Sequence, residues 1–127
     1  LTGLKPEERL GVMQRLGDEA MAHLARVLPL ALDRYRDVIV LTHVPPFRDA
    51  CRHNGQVQDD QWAPHFSCRA VGDILRKAAA AHSDRKLTVL CGHTHSPAHA
   101  TVLPNLTVVA GSARYGEPVV QAIMEID

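Results

Sequence analysis

Two short apolar runs, Asp37–Leu41 (Asp-Val-Ile-Val-Leu) and Lys86–Cys91 (Lys-Leu-Thr-Val-Leu-Cys), each lead directly into a turn that carries histidine. Their nearly continuous, β-branched character is that of strands buried on both faces. The segment between them contains a helical pattern, so a right-handed crossover would make the two strands parallel. In open α/β sheets, sites form beyond the carboxyl ends of such strands. His43 follows the first run, in Thr42-His43-Val44-Pro45-Pro46-Phe47, and His93 and His95 follow the second, in Cys91-Gly92-His93-Thr94-His95. One crevice is therefore expected to receive three imidazoles.

The flanking sequence fits an α/β class. Residues 6 to about 35 are helix formers with apolar positions mostly three or four apart. Gly17-Asp18 and Pro29 interrupt that pattern, which predicts two helices or one kinked helix ending near Asp33. Residues 45–67 read as a polar, irregular loop of a length that is more often functional than idle. Ser67 can cap a helix over 69–81 whose Val71, Ile74 and Leu75 face a core. After His95, strands are expected at Ala98–Leu103, Leu106–Ala110 and 119–126, with turns at Pro104-Asn105 and 111–116. The order is N-terminal helices, two parallel strands and an antiparallel meander.

Composition narrows the partners. At 127 residues, with 46% hydrophobic and 22% charged, the chain has the make-up of one domain with a modest core. Fourteen basic residues balance fourteen acidic ones without a block of either sign, so nucleic-acid polymers and anionic membrane surfaces are not expected partners. No apolar stretch approaches the roughly 20 residues that span a bilayer. Cys51, Cys68 and Cys91 are odd in number and widely spaced, which argues against a disulfide framework and a thiolate zinc ribbon. That usage points to a reducing cytoplasm.

The three histidines carry the chemistry. His93 and His95 are two apart, so in extended backbone their rings would leave the same face, and Gly92 would free the chain to turn. Three neutral imidazoles suit zinc, iron, manganese or nickel and leave positions open for water or substrate. The competing reading is of ordinary loop histidines bonded to backbone. His53 and His65 in the long loop are candidate substrate contacts, as is Arg52; His23 and His82 are expected on helix surfaces and His99 on a strand.

At these residues the chain resembles the calcineurin-like metallophosphoesterase family. Thr42-His43-Val44-Pro45-Pro46 is similar to that family's fourth motif, and Gly92-His93-Thr94-His95 to its fifth, Gly-His-x-His. The likeness runs over roughly 37–116. It implies the C-terminal half of an α/β/β/α sandwich, phosphatase or phosphodiesterase activity on a phosphoester substrate, and two divalent ions (Mn, Fe, Zn or Ni). By resemblance, His43 and His93 would bind one metal and His95 the other.

The family's first three motifs, Asp-x-His, Gly-Asp-x-x-Asp and Gly-Asn-His-Asp/Glu, do not occur; neither Gly17-Asp18, Gly72-Asp73 nor His53-Asn54-Gly55 fits them. The chain also opens at Leu1. Residues 1–127 are thus expected to be the C-terminal portion of a phosphoesterase domain whose N-terminal half is absent, with no catalytic residue of its own. Such a fragment would bind at most one metal, hydrolyse little and self-associate through uncovered apolar surface. Two other functions fit the same residues: a mononuclear zinc hydrolase with three histidine ligands, and a non-catalytic phosphoesterase-fold scaffold.

Overall fold

A parallel pair of strands forms the centre of the molecule. In the computed structural model, which describes residues 3–53, 56–57 and 68–125, helix α1 (Pro6–Arg34) leads into strand β1 (Asp37–Leu41). A 3₁₀ turn at Arg48–Ala50 and a two-residue ribbon, β2 (Arg52–His53) against β3 (Gln56–Val57), precede helix α2 (Arg69–Ala81). Strands β4 (Lys86–Cys91), β5 (Ala98–Leu103) and β6 (Leu106–Ala110) complete an open four-stranded sheet of order β1-β4-β6-β5. The class is mixed α/β, as the sequence predicts.

β1 and β4 run parallel in register, Asp37 opposite Lys86 through Leu41 opposite Leu90. The same polarity continues into β6, whose Leu106 lies opposite Leu87 and Ala110 opposite Cys91. Within this four-stranded sheet β5 alone is antiparallel, folding back on β6 at the edge. The expected meander is therefore corrected: the β5–β6 hairpin forms, but its second strand inserts beside β4. Residues 119–125 form no strand, and the part of that prediction at 126 lies outside the described residues. Gln121 instead clasps the chain after β6, accepting from the Ser112 N–H at 2.8 Å and donating back to the Ser112 carbonyl.

Both helices cover one sheet face. Leu28 and Leu32 from α1, Val71, Leu75, Ala78 and Ala79 from α2, and Val40, Leu87, Val89, Leu106 and Val108 from the strands form one core. Each large apolar side chain so buried contributes on the order of 2 kcal/mol. The opposite face is thinly covered, with Met124 and Glu125 beside Ile39 and Thr88, and Leu41 is 76% exposed. The prediction that β1 is buried on both faces fails for that reason: it is an edge strand with one covered side.

α1 is continuous rather than split, and Pro29 is accommodated inside it. Its start is held by the Glu8 carboxylate, which accepts from the Lys5 N–H at 2.8 Å. In α2 the buried positions 71, 72, 75, 78 and 79 form one stripe, with Ile74 half-buried beside it. Ser67, the expected cap, lies outside the described residues, and Cys68 holds the N-cap position without a side-chain bond. The helix's other end is tied down by Asn105 in the β5–β6 turn, whose two Nδ2 hydrogens are shared among the carbonyls of Ala79, His82 and Arg85 at 2.9, 3.0 and 3.0 Å. Asn105→Ala removes these bonds, leaving the Ala79 and His82 carbonyls only their backbone donors, the N–H groups of His82 and Arg85, and should cost about 2 kcal/mol in urea unfolding. His82, expected on the surface, is half-buried; its Nδ1 faces the Ala78 carbonyl at 2.8 Å and its Nε2 the Asp33 carboxylate at 3.3 Å.

Candidate metal-ligand pair at the strand ends

The parallel ladder does not stop where the strands end. Thr42 N–H donates to the Leu90 carbonyl at 3.0 Å, and Gly92 N–H to the His43 carbonyl at 3.0 Å, so the two histidine turns are stitched backbone to backbone. On the other side, Gly111 N–H reaches the Cys91 carbonyl at 2.8 Å and Ala113 N–H the His95 carbonyl at 3.4 Å. Side chains fix the turns further. Thr42 Oγ1 donates to the Val44 carbonyl at 3.0 Å; Thr94, only 3% exposed, directs its Oγ1 to the Ser96 carbonyl at 3.5 Å. Threonine beside histidine in both turns was the available sequence signal for this bracing.

Buried residues on the C-terminal side of His43 anchor its turn. Pro45, Pro46 and Phe47 are all buried, and the Pro45 carbonyl accepts from the Cys68 N–H at 3.0 Å where α2 begins. Gly72 in the first turns of α2 lets that loop approach: a Cβ there would stand 2.3 Å from the Pro46 carbonyl oxygen. The start of the 45–67 loop is thus core structure rather than an overhang.

These constraints bring His43 and His93 together. His43 Nε2 and His93 Nδ1 face each other at 3.1 Å, with ring centroids 4.9 Å apart and ring planes at 71°. As a neutral pair, one ring donates its N–H and the other accepts. An ion held between them would need both facing nitrogens free of protons, each ring carrying its proton on its other nitrogen. At a metal–nitrogen distance of about 2.1 Å, the observed spacing corresponds to an angle of roughly 95°, which fits two neighbouring ligands of one divalent ion.

His95 does not share this arrangement. Its ring lies edge-on to Tyr115 with centroids 4.9 Å apart. The expectation that positions 93 and 95 project from one face assumed extended backbone, whereas both residues take left-handed conformations, φ 68° and 55°. Gly92, credited with that freedom, has no positive φ. Left-handed backbone at non-glycine residues costs of order 1 kcal/mol each and concentrates at functional sites. Among the described residues, no group of three His, Cys, Asp or Glu side chains is placed to hold a metal ion.

The loop candidates are placed elsewhere or not at all. Arg52 is exposed on the β2–β3 ribbon, His53 is its neighbour there, and His65 lies outside the described residues. His43 does line the wall of an open groove of ≈ 1300 Å³ between α1 and the start of α2, with Leu10, Met13, Leu24, Phe47 and Arg76 among its other walls.

Cys91 precedes the His93 turn and is packed rather than reactive. Its Sγ points to the Val109 carbonyl at 3.6 Å, and burial, aided by Cys51, pushes its thiol from 9.0 up to about 11. Because the folded value lies above the unfolded one, this thiol's stabilising contribution is complete below pH 9 and is lost as pH rises through 11. Its alkylation by iodoacetamide at pH 8 should run about 100-fold slower in the folded chain than in urea, read by peptide mass spectrometry.

Comparison with protein-family models, with curated proteins and with solved structures finds no match to this chain.

Proposed function

We propose that this chain carries part of the metal centre of a metal-dependent phosphoester hydrolase, with His43 and His93 as nitrogen ligands of one divalent ion. The observation that carries the reading is the 3.1 Å approach of His43 Nε2 to His93 Nδ1 at the carboxyl ends of adjacent parallel strands. Two backbone-stitched turns converging on one point make a preorganised chelate, which a pair of chance surface histidines would not require. The motif resemblance supplies the reaction class, and the four-stranded α/β sheet is compatible with the C-terminal half of a phosphoesterase sandwich.

When bound, such an ion lowers the pKa of a coordinated water and neutralises charge on phosphoryl oxygens. The chain's own part is to hold the two imidazoles and fix their tautomers. A two-ion centre also needs a bridging carboxylate to hold the ions about 3.5–4 Å apart, and these 127 residues carry none in a matching motif. The exposed apolar side chains Leu30, Leu41, Val120 and Ile123 supply surface for self-association.

The test is a titration with Mn²⁺ and Zn²⁺ alongside hydrolysis of bis(4-nitrophenyl) phosphate. The expected result is no more than one ion per chain, dependent on His43, with turnover near background. Two tightly held ions per chain would contradict the reading, as would metal uptake that His43→Ala leaves unchanged.

A further inference from the structure

Only one side of β1 is paired. At its two ends the Thr42 N–H reaches the Leu90 carbonyl and the Arg36 carbonyl receives the Lys86 N–H at 2.8 Å, so the even-numbered residues turn their backbone groups toward β4. The alternation of a strand then points the N–H and C=O groups of Asp37, Ile39 and Leu41 the other way. β1 ends the sheet order, and among the described residues no backbone group bonds to that side. The chain's own tail does not fill it. Gln121 is held at Ser112, and Met124 and Glu125 come beside Ile39 and Thr88 without a backbone bond to β1.

Little on this edge discourages pairing. It carries no proline and no register shift, and its one charged residue, Asp37, stands at the first position, 3.8 Å from Lys86. Period two sends the side chains of Ile39 and Leu41 to the sheet face opposite the helices, where Leu41 is 76% exposed. A row of open donors and acceptors is completed by another strand, not by a helix or a flat apolar surface. A second copy of β1 supplies a strand that matches. Run antiparallel about a two-fold axis at Ile39, it sets Ile39 against Ile39 and Asp37 against Leu41 at both ends. All three open residues then enter hydrogen-bonded pairs, about six backbone bonds in total. The antiparallel sense also keeps the two Asp37 carboxylates apart and closes the assembly at two copies.

We propose that the chain dimerises by antiparallel pairing of β1 with β1 of a second copy, joining the two four-stranded sheets into one. The inference assigns self-association to one edge and does not rest on the metal ligands. The two-fold axis carries the two His43 turns to opposite ends of the joined strands. Five residues from each copy make a small interface, so the dimer is weak, with a dissociation constant of about 10–100 µM.

The test is sedimentation velocity of the 127-residue chain from about 5 to 500 µM, with amide exchange followed by nuclear magnetic resonance. Wild type should pass from monomer to dimer. Leu41→Lys, at an exposed position where the change leaves folding intact, should raise the dissociation constant at least about 10-fold. Exchange at the Ile39 and Leu41 N–H groups should slow about 3- to 10-fold over that range, while Val38, Val40 and Thr42, already bonded to β4, should not change. Ile39→Cys should form an intermolecular disulfide in oxidised glutathione, because the paired Cα atoms would lie about 5.5 Å apart. Thr88→Cys, at the same level on β4, should not, because β1 of both copies stands between. A wild type that stays monomeric at about 500 µM overturns the inference. So does a dimer that Leu41→Lys leaves intact, that gives no Ile39→Cys cross-link, or whose Ile39 and Leu41 amides exchange as in the monomer; another surface, such as the exposed Val120 and Ile123, would then hold the copies together.

Discussion

His43→Ala and His93→Ala should each weaken Zn²⁺ binding by about 100-fold in competition with a chromophoric chelator, while His99→Ala, on the exposed side of β5, should change nothing. The size of the effect comes from the chelate. Each ring comes from a separate turn, and the turns are already fixed by the Thr42-to-Leu90 and Gly92-to-His43 backbone bonds, so the second nitrogen binds with little further ordering. Removing either breaks the chelate and leaves the ion one nitrogen of the pair, with ordinary weak affinity. The double variant should therefore bind about as poorly as either single one, the non-additivity expected of two groups that act as one site. Two independent losses that add would show that the rings bind metal separately.

Gly72→Ala should cost about 3 kcal/mol, which for a domain of this size lowers the melting temperature by roughly 10 °C. The new methyl carbon would stand 2.3 Å from the Pro46 carbonyl oxygen and 3.2 Å from the Phe47 ring. Neither can yield cheaply: Pro46 is buried backbone, and Phe47 is 8% exposed in the core. Because Pro46 lies three residues after His43, the same clash pushes the His43 turn away from His93. Zn²⁺ affinity should therefore fall along with stability. Leu32→Ala gives the control, a cavity of about 2–5 kcal/mol under the far end of α1 that should leave affinity in the folded state unchanged. Equal affinity in Gly72→Ala and wild type would show that α2 does not position His43.

Much of this fold is legible because strand and helix signals were local. The β-branched runs at 38–41 and 87–91 mark β1 and β4, and the helix between them dictates their parallel pairing. What the sequence leaves open is which strand of the last hairpin lies inside. The answer is visible only in packing: Leu106, Val108 and Ala110 of β6 are buried, whereas His99 and Thr101 of β5 are exposed, so the more apolar strand goes next to β4. The apolar residues at 119–124 look like a strand, but β propensity counts only where an edge is available to pair with, and the Gln121 clasp turns that segment back on Ser112 instead.

The site divides in the same way. The pairing of His43 with His93 comes from topology, since two strands in register end at the same level. The placement of His95 does not, because period-two reasoning holds for extended backbone and the turn adopts left-handed conformations at 93 and 95. Neither Tyr115 as its neighbour nor Gly72 as the spacer under the His43 loop leaves a mark in local sequence. Both depend on contacts between segments far apart in the chain.

The most direct test of the ligand pair is nuclear magnetic resonance of the ¹⁵N-labelled chain loaded with one equivalent of ¹¹³Cd. A shared ion gives one-bond cadmium coupling at His43 Nε2 and His93 Nδ1, the two nitrogens that face each other at 3.1 Å. Cadmium coupled to neither nitrogen, or to histidines of the helices and β5 instead, would contradict it.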